Sequence, residues 1–224
     1  VEELAGDASV RAVILKGAGR GFMAGGDVAT FHENIDTIAD TIDDLIGLYH
    51  KAVLGLSSLP KPVVAALHGP VAGAGVGMAL NADIGVAADN TVFTMAYIGI
   101  ATIPDGGSTY LLPRVVGRRK ALELAMLSEP IDAATALDLG LVNRVVDTDA
   151  LMPTTIELAN VLLAGAPMAL RATKQMMLDG LGKPSLAAAF GAEYPEYEAM
   201  LSSEDAIEGS AAFLENRKPI WKNR

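Results

Sequence analysis

Residues 62–81 carry no formally charged side chain, a run about long enough to cross a bilayer if it were one continuous helix. It is not written as one helix. His68, Gly69 and Pro70 break it in the middle, Gly73, Gly75 and Gly77 follow, and Asn81 ends it. Proline removes a backbone donor and glycine loosens the backbone, so this punctuation predicts a buried strand, a tight loop and a helix start. The segment is expected to form the core of an α/β fold, not a membrane span.

The remainder follows the same alternation. Residues 10–16 form a β-branched run that ends at Gly17-Ala18-Gly19, which predicts a strand entering a loop. Residues 37–57 place Ile38, Ile42, Leu45, Ile46, Tyr49, Val53 and Leu56 at helical spacing, and Pro60-Lys61-Pro62 ends the pattern. Residues 84–88 and 91–94 read as short strands, 118–127 and 132–139 as helices, and 142–146 as a last strand. Beyond that, four helical stretches near 149–164, 167–179, 184–200 and 203–215 contain no strand pattern. The expected division is an α/β core over residues 1–147 and a helical region over 148–224. Ile207, Ala211, Phe213 and Leu214 give the last helix an apolar side that needs a partner, from the core or from another subunit.

With 51% hydrophobic and 20% charged residues, the 224-residue chain can bury a substantial core. Its 17 basic and 27 acidic residues give a net charge of −10, which repels nucleic acid and anionic membranes. Neither is an expected partner. The absence of cysteine excludes disulfides, thiolate nucleophiles and cysteine metal sites, and fits the reducing cytoplasm, the expected location. Val1-Glu2-Glu3-Leu4 has no initiating Met and no signal-peptide pattern, so the chain is expected to begin inside a longer gene product.

Two glycine-rich loops fail the dinucleotide spacing, because Phe22 and Met78 stand where the third glycine is required. There is no Gly-Lys-Ser/Thr phosphate loop, no metal-ligand spacing and no nucleophile elbow. No metal is expected. What remains is Ala24-Gly25-Gly26-Asp27 after one strand, and His68-Gly69-Pro70-Val71-Ala72-Gly73-Ala74-Gly75 after another. Small residues at such turns let a ligand approach free backbone N–H groups. Two N–H groups converging on one oxygen would stabilise an enolate developing on a thioester.

Lys16-Gly17-Ala18-Gly19-Arg20-Gly21-Phe22-Met23-Ala24-Gly25-Gly26-Asp27, Lys61-Pro62-Val63-Val64-Ala65-Ala66, His68-Gly69 and Gly73-Ala74-Gly75 together resemble the crotonase family, also called the enoyl-CoA hydratase/isomerase family. Ile103-Pro104-Asp105-Gly106-Gly107, Leu112-Pro113-Arg114-Val115-Val116-Gly117, Gly140-Leu141-Val142-Asn143-Arg144-Val145-Val146 and Glu208-Gly209 with Ala212-Phe213-Leu214-Glu215 continue the resemblance in family order. It covers essentially the whole chain. The resemblance implies a spiral of β-β-α units, a C-terminal helical trimerisation region, acyl-CoA thioester substrates, and no cofactor beyond the coenzyme A of the substrate. A homotrimer or a dimer of trimers is the implied assembly. Members usually begin with a further strand and helix ahead of the position of Val1.

Carried onto this chain, the resemblance puts the oxyanion-hole N–H groups at Gly26 and Ala74, with Ala24, Gly73 and Asp27 beside them. The two glutamates of the hydratase pattern align with Gly77 and Tyr97, so that acid–base pair is missing. Asp105 aligns with the aspartate that isomerase branches use to move a proton, and with the nucleophile of aryl-CoA dehalogenase relatives. His50 corresponds to a pocket-wall histidine of those relatives, and Tyr97 could line the acyl pocket. Phe213 corresponds to a residue that contacts the adenine region across a subunit boundary, and Lys218 follows it as a candidate phosphate contact. Arg20, Arg114, Arg118, Arg119, Lys120 and Arg217 are further basic candidates. Asn216 and Ala29 replace basic residues of the family pattern, which predicts weaker or rearranged phosphate contacts.

The expected activity is enoyl-CoA double-bond isomerisation through Asp105. Hydratase or hydrolase chemistry without the glutamate pair is the alternative within enzymes. A non-catalytic acyl-CoA binding protein is the alternative from another class.

Overall fold

β2 (Val63–Leu67) is buried at every position, which is why its sequence is an unbroken apolar run. In the computed structural model, which describes residues 1–224 except for the side chains of Ala39, Asp40, Thr41 and Asp44, β2 lies inside a four-stranded sheet. The preceding elements are α1 (Glu2–Gly6), β1 (Val13–Lys16), α2 (Val28–Glu33) and α3 (Ile38–Ser57). After β2 come β3 (Pro70–Ala72), α4 (Ala74–Leu80), β4 (Ile84–Ala88), β5 (Val92–Thr94) and α5 (Ser108–Leu127). β6 (Ile131–Asp132), α6 (Ala133–Asp138) and β7 (Arg144–Val146) follow, then α7 (Leu151–Leu163), α8 (Pro167–Gly180), α9 (Leu186–Leu201) and α10 (Glu204–Leu214).

The first sheet has the order β1-β2-β4-β7 and the second the order β3-β5-β6. β2 and β4 pair in parallel with Val64 opposite Ile84, and β3 and β5 in parallel with Val71 opposite Phe93. Each β-β-α unit therefore sends its first strand to one sheet and its second to the other, the spiral implied by the resemblance. Polar side chains fix the corners. Asp83 accepts the Val63 N–H at 2.7 Å, and the buried Thr91 hydroxyl donates to the Leu67 carbonyl at 3.1 Å. Phe22, Leu67, Val71, Val76, Phe93, Met95, Leu112, Ala136 and Val142 fill the core.

The uncharged run at 62–81 is thus β2, β3 and α4, and no helix among the described residues is long and apolar enough to cross a membrane. Three elements, α5, β3 and β6, go beyond the sequence reading. The second part of α5 is the helix expected over 118–127, and an unexpected first part from Ser108 precedes it across the non-helical Gly117 (φ 77°, ψ 158°). Pro113 and Gly117 hid its first half, because neither belongs in a regular helix interior. β3 and β6 hold three and two residues, too few to show a period.

The compact units also differ from a division at 147/148. One comprises residues 1–2, 14–59 and 63–158; the other comprises 3–13, 60–62 and 159–224. Early segments join the helical unit for an electrostatic reason. Arg11 donates to the carbonyls of Leu163 and Gly165 at 2.8 and 3.0 Å, at the carboxyl end of α7, where a cation is favoured. The buried Lys61 ammonium donates to the carbonyls of Leu4 and Asp7. Within this unit Glu208 of α10 takes both terminal nitrogens of Arg217 at 2.6 and 2.9 Å and the Ile220 N–H at 2.8 Å. These bonds hold the Glu208 carboxyl down at about 2, with the Arg217 hydrogen bonds the largest cause.

Candidate active site

Met23 forms a parallel bridge with Val71, so the loop after β1 runs along β3. The Met23 N–H donates to the Pro70 carbonyl at 3.3 Å, and the Ala72 N–H donates back to Met23 at 2.9 Å. Gly75 is required here, because a Cβ at that position would run into the Met23 carbonyl. Gly73 precedes α4 with φ +53°, a backbone conformation that favours glycine, and its N–H donates to the Thr94 carbonyl at 2.9 Å. A Cβ on Gly73 would lie 3.6 Å from the Gly25 Cα and 4.0 Å from the Tyr97 ring. The two small-residue turns picked out in the sequence therefore meet, with Tyr97 beside them. No hydrogen bond among the described residues engages the N–H of Gly26 or of Ala74.

Asp27 caps α2: it accepts the N–H groups of Ala29 and Thr30 at 3.0 and 3.2 Å, and the Thr30 hydroxyl at 2.9 Å. Those bonds, the Thr30 hydroxyl foremost, hold its carboxyl below the usual range. Its structural work is to fix the loop that carries Ala24, Gly25 and Gly26.

The second half of the site is built by a loop that doubles back. Tyr97 begins a short turn, and its carbonyl accepts both the N–H and the hydroxyl of Thr102, at 3.1 and 3.2 Å. Asp105 then returns to the Tyr97 side chain, whose hydroxyl donates to its Oδ1 at 2.6 Å. Tyr97 is only 8% exposed, whereas Asp105 is half-buried. Burial, and then the hydrogen bond to Asp105, push the Tyr97 phenol above the ordinary tyrosine range, so it stays a proton donor.

One member of this group was visible in the sequence only as part of an apolar stripe. Tyr49 of α3 donates its hydroxyl to the Ala74 carbonyl at 2.5 Å. Burial first, and the nearby Asp105 charge second, keep its phenol protonated as well. The Tyr49 hydroxyl is 3.0 Å from where a Gly77 Cβ would sit, with the Gly106 carbonyl at 2.8 Å and Ser108 Oγ at 2.9 Å. Gly77, where the resemblance expects a glutamate, thus has no room for a side chain. A hydroxyl on an otherwise apolar helix face, opposite a glycine that replaces a glutamate, is the signal that could have found Tyr49.

Of the other expected residues, His50 has its ring centroid 6.2 Å from that of Tyr49. His50 is exposed, one residue and so about 100° around α3 from Tyr49, and no hydrogen bond among the described residues joins it to Asp105. In the helical unit, Phe213 is 82% exposed and Lys218 is exposed. Several basic candidates already have partners: Arg114 stacks 3.4 Å over the Tyr110 ring, Lys120 pairs with Glu123 at 2.7 Å, and Arg217 is held by Glu208 and Glu215. A cavity of about 220 Å³ in the helical unit is lined by Arg11, Lys61, Pro62 and Arg171 and contains none of Tyr49, Tyr97 or Asp105.

A buried phenol paired with a half-buried carboxylate, next to small-residue turns with free N–H groups, is equipped to move a proton beside a polarised carbonyl. Comparison with known proteins bears on which chemistry that serves. The sequence model of the enoyl-CoA hydratase/isomerase family matches residues 1–224. The chain is 36% identical over 221 residues to 1,2-epoxyphenylacetyl-CoA isomerase of Escherichia coli K12, covering 97% of this chain and 83% of that protein. It is 35% identical over 226 residues to short-chain-enoyl-CoA hydratase of Clostridium acetobutylicum, covering 100% and 85%. The crystal structure of an enoyl-CoA hydratase from Polaromonas sp. JS666 superposes with a TM-score of 0.93 at 33% identity, covering 99% of this chain and 87% of that one. Agreement in sequence, in the β-β-α spiral and in length of match leads to one conclusion: the chain belongs to the enoyl-CoA hydratase/isomerase family.

Proposed function

We propose that the chain isomerises the double bond of an enoyl-CoA thioester, with Asp105 carrying the proton and the N–H groups of Gly26 and Ala74 holding the thioester oxygen. The hydrogen bond from Tyr97 to Asp105 carries this reading. It ties up Oδ1 and leaves Oδ2 as the oxygen that can exchange a proton with substrate. Asp105 takes a proton from the α carbon of a 3-enoyl thioester, and the C–H electron pair moves into the carbonyl to give a dienolate. Its oxygen accepts the two N–H bonds. Collapse of the dienolate returns the proton to the γ carbon and leaves a 2-enoyl thioester, so the step is balanced within substrate and carboxyl.

Water addition is the weaker reading, although one relative is named a hydratase. It needs a base for water and an acid for the α carbon, and Gly77 has no space for the first. The coenzyme A is part of the substrate, and no other cofactor enters the proposed reaction. Exposed Phe190, Tyr194, Tyr197, Leu201, Ile207 and Leu214 on α9 and α10 support assembly with further copies, as a homotrimer or a dimer of trimers. A cytoplasmic location remains part of the proposal on the cysteine-free composition.

The test is incubation of 2-enoyl- and 3-enoyl-CoA thioesters with wild type and Asp105→Asn in heavy water, read by mass spectrometry. A shifted double bond with deuterium at the α or γ carbon, reduced about a hundred- to ten-thousand-fold in the variant, is the expected result. Hydrated or hydrolysed product would replace the isomerase reading with the hydratase or hydrolase one. Binding without exchange would point to a non-catalytic acyl-CoA binding protein.

A further inference from the structure

α4 and the turn that carries Asp105 are separate in sequence, and Tyr49 touches both. Its hydroxyl donates to the carbonyl of Ala74, the first residue of α4, at 2.5 Å. The same ring lies so close over Gly106, the residue after Asp105, that any Cβ there would collide with it. Gly106 also adopts φ +58°, so its lack of a side chain is needed twice. Asn81 adds a parallel tie, donating through Nδ2 to the Gly77 carbonyl at 2.8 Å and to the Gly106 carbonyl at 3.4 Å. The Ser108 hydroxyl is buried and has no hydrogen-bond partner among the described residues.

From this arrangement we propose that Tyr49 is a positioning residue, which holds Ala74 through its carbonyl, sets the spacing between the Ala74 backbone and the Asp105 carboxyl, and so aligns carbonyl polarisation with proton transfer. The proposal rests on the isomerase reading above for the role of Asp105, but the link between Tyr49 and Ala74 stands on its own geometry. Gly77 and Tyr49 belong together in it. The loss of a side chain at position 77 makes the space in which the phenol reaches the Ala74 carbonyl.

Tyr49→Phe keeps the ring over Gly106 and removes only the hydrogen bond. Two readouts apply: steady-state kcat and KM with 3-enoyl-CoA, and the absorption of bound 2,4-hexadienoyl-CoA, whose band moves to longer wavelength when its thioester carbonyl is polarised. The expected result is a kcat reduced about ten- to a hundredfold, a KM within about threefold of wild type, and a smaller absorption shift, since misplacement by about 1 Å is costly in a preorganised site. Wild-type kcat together with a wild-type shift overturns the proposal. So does a lower melting temperature accompanied by an unchanged shift, because that assigns Tyr49 to stability alone. Asp105→Asn run in parallel separates the two claims: full turnover in that variant removes Asp105 as the proton carrier, while the dienoyl absorption still decides whether Tyr49 sets the position of Ala74.

Discussion

Tyr97 and Asp105, eight residues apart, are joined by a 2.6 Å hydrogen bond from the phenol to Oδ1. The bond closes the loop between β5 and α5, and it places a neutral donor on a carboxylate in a half-buried setting. A hydrogen bond to a charged group is worth about 1.5–3 kcal/mol, more than a neutral pair. It therefore restrains Asp105 to one orientation.

Tyr97→Phe removes that restraint and keeps the buried ring. The expected outcome is a kcat lowered roughly tenfold or more with KM little changed, since the phenol acts on Asp105 and not on the coenzyme A moiety. Stopped-flow or steady-state turnover of 3-enoyl-CoA checks it, and an unchanged kcat would show that Asp105 is oriented by other contacts.

Gly77→Glu restores the residue type of the hydratase pattern but not its chemistry. The new Cβ meets the Gly106 carbonyl at 2.8 Å and Ser108 Oγ at 2.9 Å, so backbone has to move. Overpacking of this kind costs about 1–3 kcal/mol, and each kcal/mol lowers the melting temperature of a chain this size by about 2–4 °C. Calorimetry should record that drop, and no hydrated product should form. Stable folding with measurable water addition would contradict the steric argument.

Glu208 contributes to the acid dependence of stability in the helical unit. Its carboxyl is held at about 2 against an ordinary value of 4.5, through Arg217 and the Ile220 N–H. A lowered carboxyl contributes stability that is fully present above pH 4.5 and is lost as the pH falls toward 2. The pair is solvent-accessible, so the contribution is screened by salt. Circular dichroism from pH 6 to pH 2 (about that range) should show Glu208→Gln less stable than wild type near neutrality, with the difference shrinking at the acid end. A difference that grows on acidification would reverse the assignment.

Much of the architecture could be read from the sequence, because it rests on local pattern. The apolar run of β2, the helical spacing in α3 and the four tail helices express burial and period directly, the small-residue turns at Gly26 and Ala74 stood out by residue type, and Asp105 was singled out by the family resemblance. Short elements were harder to read. β3 and β6 gain their identity from the partner strand, and the first part of α5 contains Pro113 and breaks at Gly117, so it carries no regular helical pattern.

The site followed the same division. The resemblance to the family, carried onto the sequence, implied that the hydratase glutamate pair is replaced by Gly77 and Tyr97 and that Asp105 is the carboxylate that remains. Only the tertiary structure decided that Tyr97 reaches Asp105, that His50 is exposed, and that Tyr49 fills the space beside Gly77. The physical reason is that helical period assigns a residue to a face but not to an atom. Where the Tyr49 hydroxyl ends depends on how closely α4 and the turn at Gly106 approach α3, and that approach is set by glycines whose missing side chains leave no pattern of their own.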